Sequence, residues 1–240
     1  MSKSIDAAWL APEKMPVLLP NEVHVWKVDL DSPMGEGSGD ATFSAASSEV
    51  AGRDDLELRR RSTARMALNT ILAAYLKVSR TSVHLSKNSF GKPILDGQHH
   101  REKIEFNVSH SNDVSLIAVS ADSRLGIDIE SVDMTFPVRS VLRHFSASGL
   151  FAVGDPAGAT DVNSFFEFWT RNEAYAKATG LGFSGLLASQ SGAASMSELD
   201  PGDWSITSFR PGGKFMGAIA TSLATATIRF FNYATGPCFD

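Results

Sequence analysis

Three strand-forming segments follow one another between residues 104 and 131, and they restrict the fold of this chain more than any other feature. IEFNVSHS and VSLIAVS have the apolar spacing of paired strands, and LGIDIES comes soon after them. Within LGIDIES, Ile127 and Ile129 alternate with Asp128 and Glu130. A strand therefore presents the isoleucines on one face and the carboxylates on the other, and the isoleucine face is predicted to enter a core.

The paired carboxylates of Asp128 and Glu130 raise an electrostatic question. At about 5–7 Å and an effective dielectric constant of about 20, their mutual repulsion is on the order of 2–3 kcal/mol. Solvent reduces this repulsion, and a nearby cation reverses it. What the pair does therefore depends on the groups that the rest of the chain supplies.

The composition limits the classes of protein to consider. With 240 residues, of which 43% are hydrophobic and 20% charged, the chain suits one large globular domain or two small lobes. Its formal net charge of -5 argues against nucleic acid and membrane surfaces as partners, because both attract basic proteins. No apolar run approaches the ~20 residues that span a bilayer, and the N-terminal segment lacks the apolar core of a signal peptide. Cys238 is the single cysteine, so we expect no internal disulfide and a reducing, cytoplasmic location.

The other segments alternate between helix and strand patterns. A strand is predicted at residues 23–30, a long helix at about 54–77 and a short helix at 136–145. A second long helix is predicted at 161–180, with Gly180 as its C-terminal cap. DWSITSF, FMGAIATS and TATIRFF supply further strand candidates. This order predicts an α+β fold built as two lobes.

The second long helix carries a candidate third carboxylate. Glu173 and Lys177 lie four residues apart and share a helix face, which by itself is typical of an ordinary exposed ion pair. Together with Asp128 and Glu130, however, Glu173 would complete a set of oxygen ligands without histidine or thiolate. Such a set favours a hard cation such as Mg²⁺, which typically binds few carboxylates together with the phosphates of a substrate.

Several side chains are candidates for holding a phosphate-bearing substrate. Lys92 lies in a Gly-Lys-Pro turn, and Ser109 and His110 come at the end of a strand. Arg53 and Arg65 lie on the basic first helix. Each also has an ordinary structural interpretation: a plain turn, a hydrogen-bonded histidine or a solvated helical face. The chain has no Walker phosphate loop, no Gly-x-Gly-x-x-Gly fingerprint and no Gly-x-Ser-x-Gly nucleophile elbow.

The motifs FGKP, FNVSHS, LGIDIE and FWTRNEAYAKATGLG occur in an order and spacing that resemble the Sfp-type 4′-phosphopantetheinyl transferases. The resemblance covers about residues 53–185. It implies transfer of phosphopantetheine from coenzyme A to a serine of an acyl or peptidyl carrier protein, with release of adenosine 3′,5′-bisphosphate. It also implies two similar α+β lobes related by a pseudo-two-fold axis, which we place at residues 1–125 and 126–240 with the active site in the cleft between them. A chain that holds both lobes is expected to act as a monomer.

The resemblance further implies roles for individual residues. Asp128 and Glu130 match two of the family's Mg²⁺ ligands, and Glu173 matches the third. Glu173 is also expected to help deprotonate the carrier serine, and Lys177 to stabilise phosphate charge. Asp128, Glu173 and Lys177 are thus the expected catalytic residues. The positions that match family contacts to coenzyme A are Arg53, Arg65, Lys92, Ser109, His110 and Lys177.

One position departs from the family pattern. Family members commonly have Lys-Glu-Ala in the second long helix, whereas this chain has Asn172, Glu173 and Ala174. The loss of an ammonium removes a charge-assisted contact to phosphate, so either Arg171 compensates or turnover is reduced. Two alternatives therefore stay open: a non-catalytic relative that binds coenzyme A or a carrier protein, and a different Mg²⁺-dependent phosphoryl or nucleotidyl transferase. The apolar segment 183–189 is interpreted either as a carrier-binding surface or as part of the core.

Overall fold

The computed structural model describes residues 4–32, 53–89, 91–96, 104–121, 123–146, 158–180 and 204–234. Its helices are α1 (Arg53–Leu76), α2 (Val138–Ser146) and α3 (Val162–Thr179), and a short 3₁₀ helix lies at Arg80–Ser82. Its strands are β1 (Ile5–Asp6), β2 (Trp9–Leu10), β3 (Glu22–Asp29), β4 (Leu85–Lys87), β5 (Pro93–Leu95), β6 (Ile104–Ser111), β7 (Val114–Ala121), β8 (Leu125–Ser131), β9 (Ser205–Arg210), β10 (Phe215–Thr221) and β11 (Thr227–Asn232).

The first long helix packs on a five-stranded sheet with the strand order β2-β11-β3-β7-β6. β7 is antiparallel to both β3 and β6. α1 covers one face of this sheet because its apolar residues recur every three or four positions and form a stripe. The core on this face joins Leu68 and Ile71 of α1 to Trp26, Ile117 and Phe106. The helix therefore supports the edge strand β6.

The second long helix packs on a four-stranded sheet with the strand order β1-β9-β10-β8. β10 is antiparallel to both β9 and β8. The contact is close because small residues meet there: Ala174 and Ala178 of α3 share a buried cluster with Ala218 and Ala220 of β10. The side chains of α3 can therefore reach β8, the edge strand of this sheet.

Both ends of the chain contribute strands to both sheets. β1 pairs in parallel with β9 in the second sheet, whereas β2 pairs in parallel with β11 in the first. β11 also pairs in parallel with β3, although it follows β10 in the chain. The sequence alone does not predict the two-residue strands β1 and β2, because segments this short show no periodicity. The division into lobes at residue 125 stays a prediction.

The main structural predictions from the sequence are confirmed. The fold is α+β, with both long helices and the antiparallel pair β6 and β7 where the patterns predicted them. α3 begins with a capping box formed by Asp161 and Ser164 and ends at Gly180, which has a φ of 76°. Ile127 and Ile129 are both buried in one core cluster. No helix in the described ranges has both the length and the apolar character to cross a membrane.

Candidate active site

The candidate site lies where the two sheets meet, between their edge strands β6 and β8. Alternate side chains of β6 face β8 because successive residues of a strand point to opposite faces. Asn107 Oδ1 accepts a hydrogen bond from the backbone N–H of Ile127 at 2.8 Å. Ser111 Oγ accepts one from the backbone N–H of Ser131 at 3.0 Å. We call this contact the β6–β8 seam, and its residues are Asn107, Ser109 and Ser111 on β6 and 127–131 on β8.

Asp128 lies at the centre of the seam. Its side chain is buried, and Oδ1 accepts hydrogen bonds from Ser109 Oγ at 2.9 Å and from Lys177 Nζ at 2.6 Å. Lys177 Nζ also donates to Ser109 Oγ at 3.0 Å. Burial raises the pKa of Asp128, and the lysine and serine offset only part of this effect. Oδ2 is buried and has no hydrogen-bond partner in the part of the chain that the structure describes.

Two further carboxyl groups lie near Asp128. Burial, together with the negative charge of Asp128, raises the pKa of Glu130 to about 6. Ser111 Oγ donates to Glu130 Oε2 at 3.2 Å and favours the anion. Burial and Asp128 also raise the pKa of Glu173 on α3, while the charge of Lys177 lowers it. The site thus gathers carboxyl groups whose anions repel one another, with Lys177 as a counter-charge.

α3 presents Glu173 and Lys177 to the seam because it packs very close to β8. A Cβ atom at Gly126 would collide with two backbone atoms of the helix, Ala174 O and Ala178 N. A residue without a side chain is therefore needed where the strand crosses under the helix. This close approach lets the lysine ammonium reach the carboxylate at the centre of the seam.

Lys92 is brought to the start of β8 by the turn between β4 and β5. Gly91 has a φ of 83°, and Asn88 closes the turn by exchanging hydrogen bonds with the backbone of Lys92. Lys92 Nζ donates to Leu125 O at 3.1 Å, and burial lowers the pKa of this lysine. Asn88 Nδ2 donates a long hydrogen bond of 3.5 Å to Gly180 O at the end of α3. The turn is thus attached to both elements that carry the carboxylates.

The other predicted contacts to coenzyme A lie apart from this cluster or outside the described structure. His110 is exposed, and strand alternation places it on the opposite face of β6 from Ser109. Arg65 is exposed on α1. The side chain of Arg53 and the apolar segment 183–189 lie outside the described residues. The predicted residues that the structure gathers around β8 are Lys92, Ser109, Asp128, Glu130, Glu173 and Lys177.

Asn172 lies where the family that the chain resembles commonly has a lysine, and it is fully buried in α3. Its Nδ2 donates to Phe168 O at 2.9 Å, one turn earlier in the helix. Arg171 Nη1 donates to Ile206 O and to Ser208 Oγ, both at 3.2 Å. These bonds hold the guanidinium on β9, so Arg171 joins the helix to the sheet. Its contacts give no support to the alternative in which Arg171 compensates for the missing ammonium.

Among the residues that the structure describes, no three His, Cys, Asp or Glu side chains converge closely enough to hold a metal ion. An ammonium instead lies next to the central carboxylate, since Lys177 Nζ is 2.6 Å from Asp128 Oδ1. The repulsion expected along LGIDIES is therefore relieved in part by a lysine that comes from a different element. The site still lacks positive charge, because burial and the negative charge of Asp128 raise the pKa of Glu130 to about 6.

We expect Glu130→Gln to stabilise the EDTA-treated protein at pH 8 but not at pH 4. The pKa of Glu130 is raised from 4.5 to about 6, so the folded state holds this proton more tightly than the unfolded chain does. The stabilisation by the proton is complete below 4.5 and is lost as the pH rises through about 6. Because the side chain is only partly buried, the variant should gain about 1 kcal/mol at pH 8, or roughly 2–4 °C in Tm.

Thermal unfolding of parent and variant at the two pH values checks this prediction. Glu13→Gln is a matched control, because Glu13 is an exposed carboxylate outside the seam. It should change stability by less than about 0.5 kcal/mol at either pH. An equal shift in Tm for Glu130→Gln at both pH values contradicts the charge repulsion at the seam.

The sequence alone does not single out Asn107 and Ser111, although both hold the backbone of β8. A signal was present in the strand pattern of β6. Its polar residues at positions 107, 109 and 111 alternate with Phe106 and Val108, which pack in the core under α1. A strand with one apolar face and one buried polar face implies a polar partner on the second face.

The sequence of the chain matches proteins of a known family. Residues 53–122 match the family described as 4'-phosphopantetheinyl transferase, N-terminal, and residues 124–222 match the 4'-phosphopantetheinyl transferase superfamily. The chain is 34% identical over 187 residues to the 4'-phosphopantetheinyl transferase HetI of Nostoc sp., a match that covers 76% of this chain and 78% of that protein. It is 31% identical over 117 residues to the 4'-phosphopantetheinyl transferase gsp of Aneurinibacillus migulanus, with 49% and 46% covered. This chain is therefore an enzyme that belongs to the 4′-phosphopantetheinyl transferase family.

Proposed function

We propose that the protein transfers the 4′-phosphopantetheine group of coenzyme A to a serine hydroxyl of an acyl or peptidyl carrier protein in a Mg²⁺-dependent reaction. A bond forms between the serine oxygen and the phosphorus that bears pantetheine, and the anhydride bond of the coenzyme A pyrophosphate breaks. Adenosine 3′,5′-bisphosphate leaves, and the serine proton passes to a base. Family membership supports the general reaction, since the relatives are named as phosphopantetheinyl transferases.

The observation that carries the proposal is the charge arrangement at the β6–β8 seam. Burial raises the pKa of Asp128, Glu130 and Glu173. Asp128 Oδ2 is buried and lacks a hydrogen-bond partner in the described ranges. Such a site lacks positive charge and offers carboxylate oxygens as metal ligands, and both properties suit a hard divalent cation.

The residues therefore fit Mg²⁺ by their chemistry. Asp128, Glu130 and Glu173 would hold the ion after a rearrangement of their side chains, since no three such groups converge in the described structure. The ion supplies Lewis-acid stabilisation of pyrophosphate charge when it is bound. Lys177 lies beside Asp128 and Ser109 and adds a positive charge at the same place. The ammonium would stabilise the negative charge of the departing bisphosphate.

Glu173 is the proposed base for the carrier serine. A carboxylate with a raised pKa accepts a proton at neutral pH more readily than an ordinary one. Lys92 and Ser109 are proposed to hold the phosphates of coenzyme A. The buried ammonium of Lys92 donates to the neutral carbonyl of Leu125, and a phosphate would be a stronger acceptor for it. Arg53, Arg65 and His110 stay predictions for coenzyme A binding.

Intact-protein mass spectrometry tests the reaction directly. Apo carrier domains of the acyl and peptidyl classes are incubated with the protein, coenzyme A and Mg²⁺, with an EDTA arm and an authentic transferase as controls. The expected result is a phosphopantetheine-sized mass gain on at least one carrier that disappears in EDTA. No gain on a panel that the authentic transferase modifies contradicts the proposal.

A non-catalytic relative is the second candidate, and Asn172 is the observation that favours it. The buried amide stands where family members commonly place an ammonium, and Arg171 is held on β9. A binding module would raise its Tm with coenzyme A but add no mass to any carrier. Activity gained in Asn172→Lys would then identify the missing ammonium as the cause.

The proposed partners are coenzyme A and a carrier protein, and the proposed state is a monomer in the cytoplasm. The net charge of -5 supports a role without nucleic acid or a membrane surface. The single cysteine, Cys238, supports a reducing compartment and lies outside the described residues. The carrier-binding surface proposed at 183–189 also lies outside them.

A further inference from the structure

We propose that Asn107 and Ser111 are positioning residues for the transferase reaction. They hold strand β8 where its two carboxylates, Asp128 and Glu130, face the site. This inference rests on the proposed function, because it explains how the residues assigned to Mg²⁺ are kept in place. It assigns a role to side chains that touch neither the metal nor the substrates in the proposed mechanism.

The argument begins with β8 as an edge strand that pairs with β10. In an antiparallel pair, alternate residues direct their backbone N–H groups away from the partner strand. On β8, the N–H of Ile127 faces β6, where Asn107 Oδ1 accepts from it at 2.8 Å. The N–H of Ser131 also faces β6, and Ser111 Oγ accepts from it at 3.0 Å. Side chains of β6 thus accept the hydrogen bonds that the backbone carbonyl groups of a neighbouring strand would otherwise accept from β8.

These two hydrogen bonds bracket the carboxylates. Ile127 directly precedes Asp128, and Ser131 directly follows Glu130. The Asn107 side chain is buried, so an Ile127 N–H that lost it would be left without water as a substitute. A shift of one residue along the strand would turn both carboxylates toward the apolar core. The two bonds therefore add to the pairing with β10 and help to keep the carboxylate face of β8 toward the site.

Ser111 connects the backbone of β8 to one of its carboxylates. Its Oγ accepts from Ser131 N–H and donates to Glu130 Oε2 at 3.2 Å. One hydroxyl can do both because it has a donor and two acceptor lone pairs. Ser111→Ala removes both bonds, whereas Ser111→Thr keeps the hydroxyl and suits a strand. The two variants form a matched pair, because only Ser111→Thr keeps the hydroxyl group that makes both hydrogen bonds.

The first measurement is hydrogen exchange at single backbone amides of the EDTA-treated protein. We expect Asn107→Leu to raise exchange at Ile127 by about 10-fold or more, and Ser111→Ala to do the same at Ser131. Ser111→Thr should exchange like the parent. Ser120→Ala controls for a general loss of stability, because this buried serine of β7 donates to the backbone of β3 at 3.0 Å, outside the seam.

The second measurement separates kcat from KM in the transfer reaction across a Mg²⁺ titration. Asn107→Leu and Ser111→Ala should lower kcat by about 10-fold or more and raise the Mg²⁺ concentration for half-maximal rate by about 10–100-fold. KM for coenzyme A should stay within about twofold, because the variants do not remove a proposed substrate contact. Ser111→Thr should restore both values, and Ser120→Ala should change neither.

The outcomes separate this inference from the proposed function. If Asn107→Leu and Ser111→Ala exchange and turn over like Ser120→Ala, the two residues are ordinary structural residues and the inference is wrong. If the parent itself transfers nothing, the proposed function fails. Hydrogen exchange and the shift of Tm on adding Mg²⁺ then still decide whether the residues position β8. Should Asn107→Leu fail to fold, the two Ser111 variants still test whether the β6 side chains position β8.

Discussion

Asp128→Asn should lower the rate of phosphopantetheine transfer by at least about 100-fold while the protein stays folded. Asparagine keeps the shape of the side chain and an oxygen that accepts from Ser109, but it removes the negative charge. Loss of one preorganised electrostatic contact of this kind costs about 10²–10³ in kcat. The change in stability should be small. The variant loses the attraction to Lys177 but also the repulsion between Asp128 and the carboxylates of Glu130 and Glu173.

The mass gain of the carrier at saturating Mg²⁺ measures the rate, and thermal unfolding of the same preparations measures stability. Asp31→Asn is a matched control, because Asp31 also forms an ion pair of 2.6 Å, with Arg60 on α1, away from the seam. This control should leave transfer unchanged. Parent-like transfer by Asp128→Asn would show that Asp128 is neither a metal ligand nor a catalytic residue.

Gly126→Ala should destabilise the protein by about 3 kcal/mol or more. The added methyl group meets Ala174 O and Ala178 N, which are backbone atoms of α3 and cannot rotate aside. The helix must therefore move away from β8. That movement carries Glu173 and Lys177 away from the seam, so the folded fraction should also transfer more slowly.

Thermal unfolding should show this change as a loss of roughly 6–12 °C in Tm. Gly158→Ala is the matched control, since a Cβ atom at Gly158 meets nothing within 4 Å. The control should unfold and transfer like the parent. A parent-like Tm for Gly126→Ala contradicts the close packing of α3 on β8.

Much of the fold could be predicted because its signals are local. The alternation at residues 127–130 assigned each side chain of β8 to a face, and both isoleucines are buried as expected. Gly180 marked the end of α3, because a residue with φ of 76° at that place favours glycine. β1 and β2 were not predictable in this way. Each has two residues, and each exists only because a distant edge strand accepts it.

The sequence named several residues that the structure brings together around β8, but it did not predict their contacts. Motif order pointed to Asp128, Glu130 and Glu173 as a group, and the charge of Asp128 raises the pKa of the other two carboxyl groups. The pattern suggested Glu173 as the neighbour of Lys177, because the two share a helix face. In the structure, Lys177 instead pairs with Asp128, since close packing at a glycine brings the helix onto the strand.

By itself, the sequence determined the type of most elements and the buried face of β8, and it led to the prediction that Asp128, Glu130 and Glu173 hold a hard cation. These follow from periodicities of 3.6 and 2.0 and from the chemistry of side chains, which do not depend on distant neighbours. Only the tertiary structure decided that β11 joins β3, that Lys177 meets Asp128 and that Asn107 holds Ile127. Each of these contacts joins residues far apart in the chain. Such partners are chosen when both sheets pack around their cores, and no local pattern records that choice.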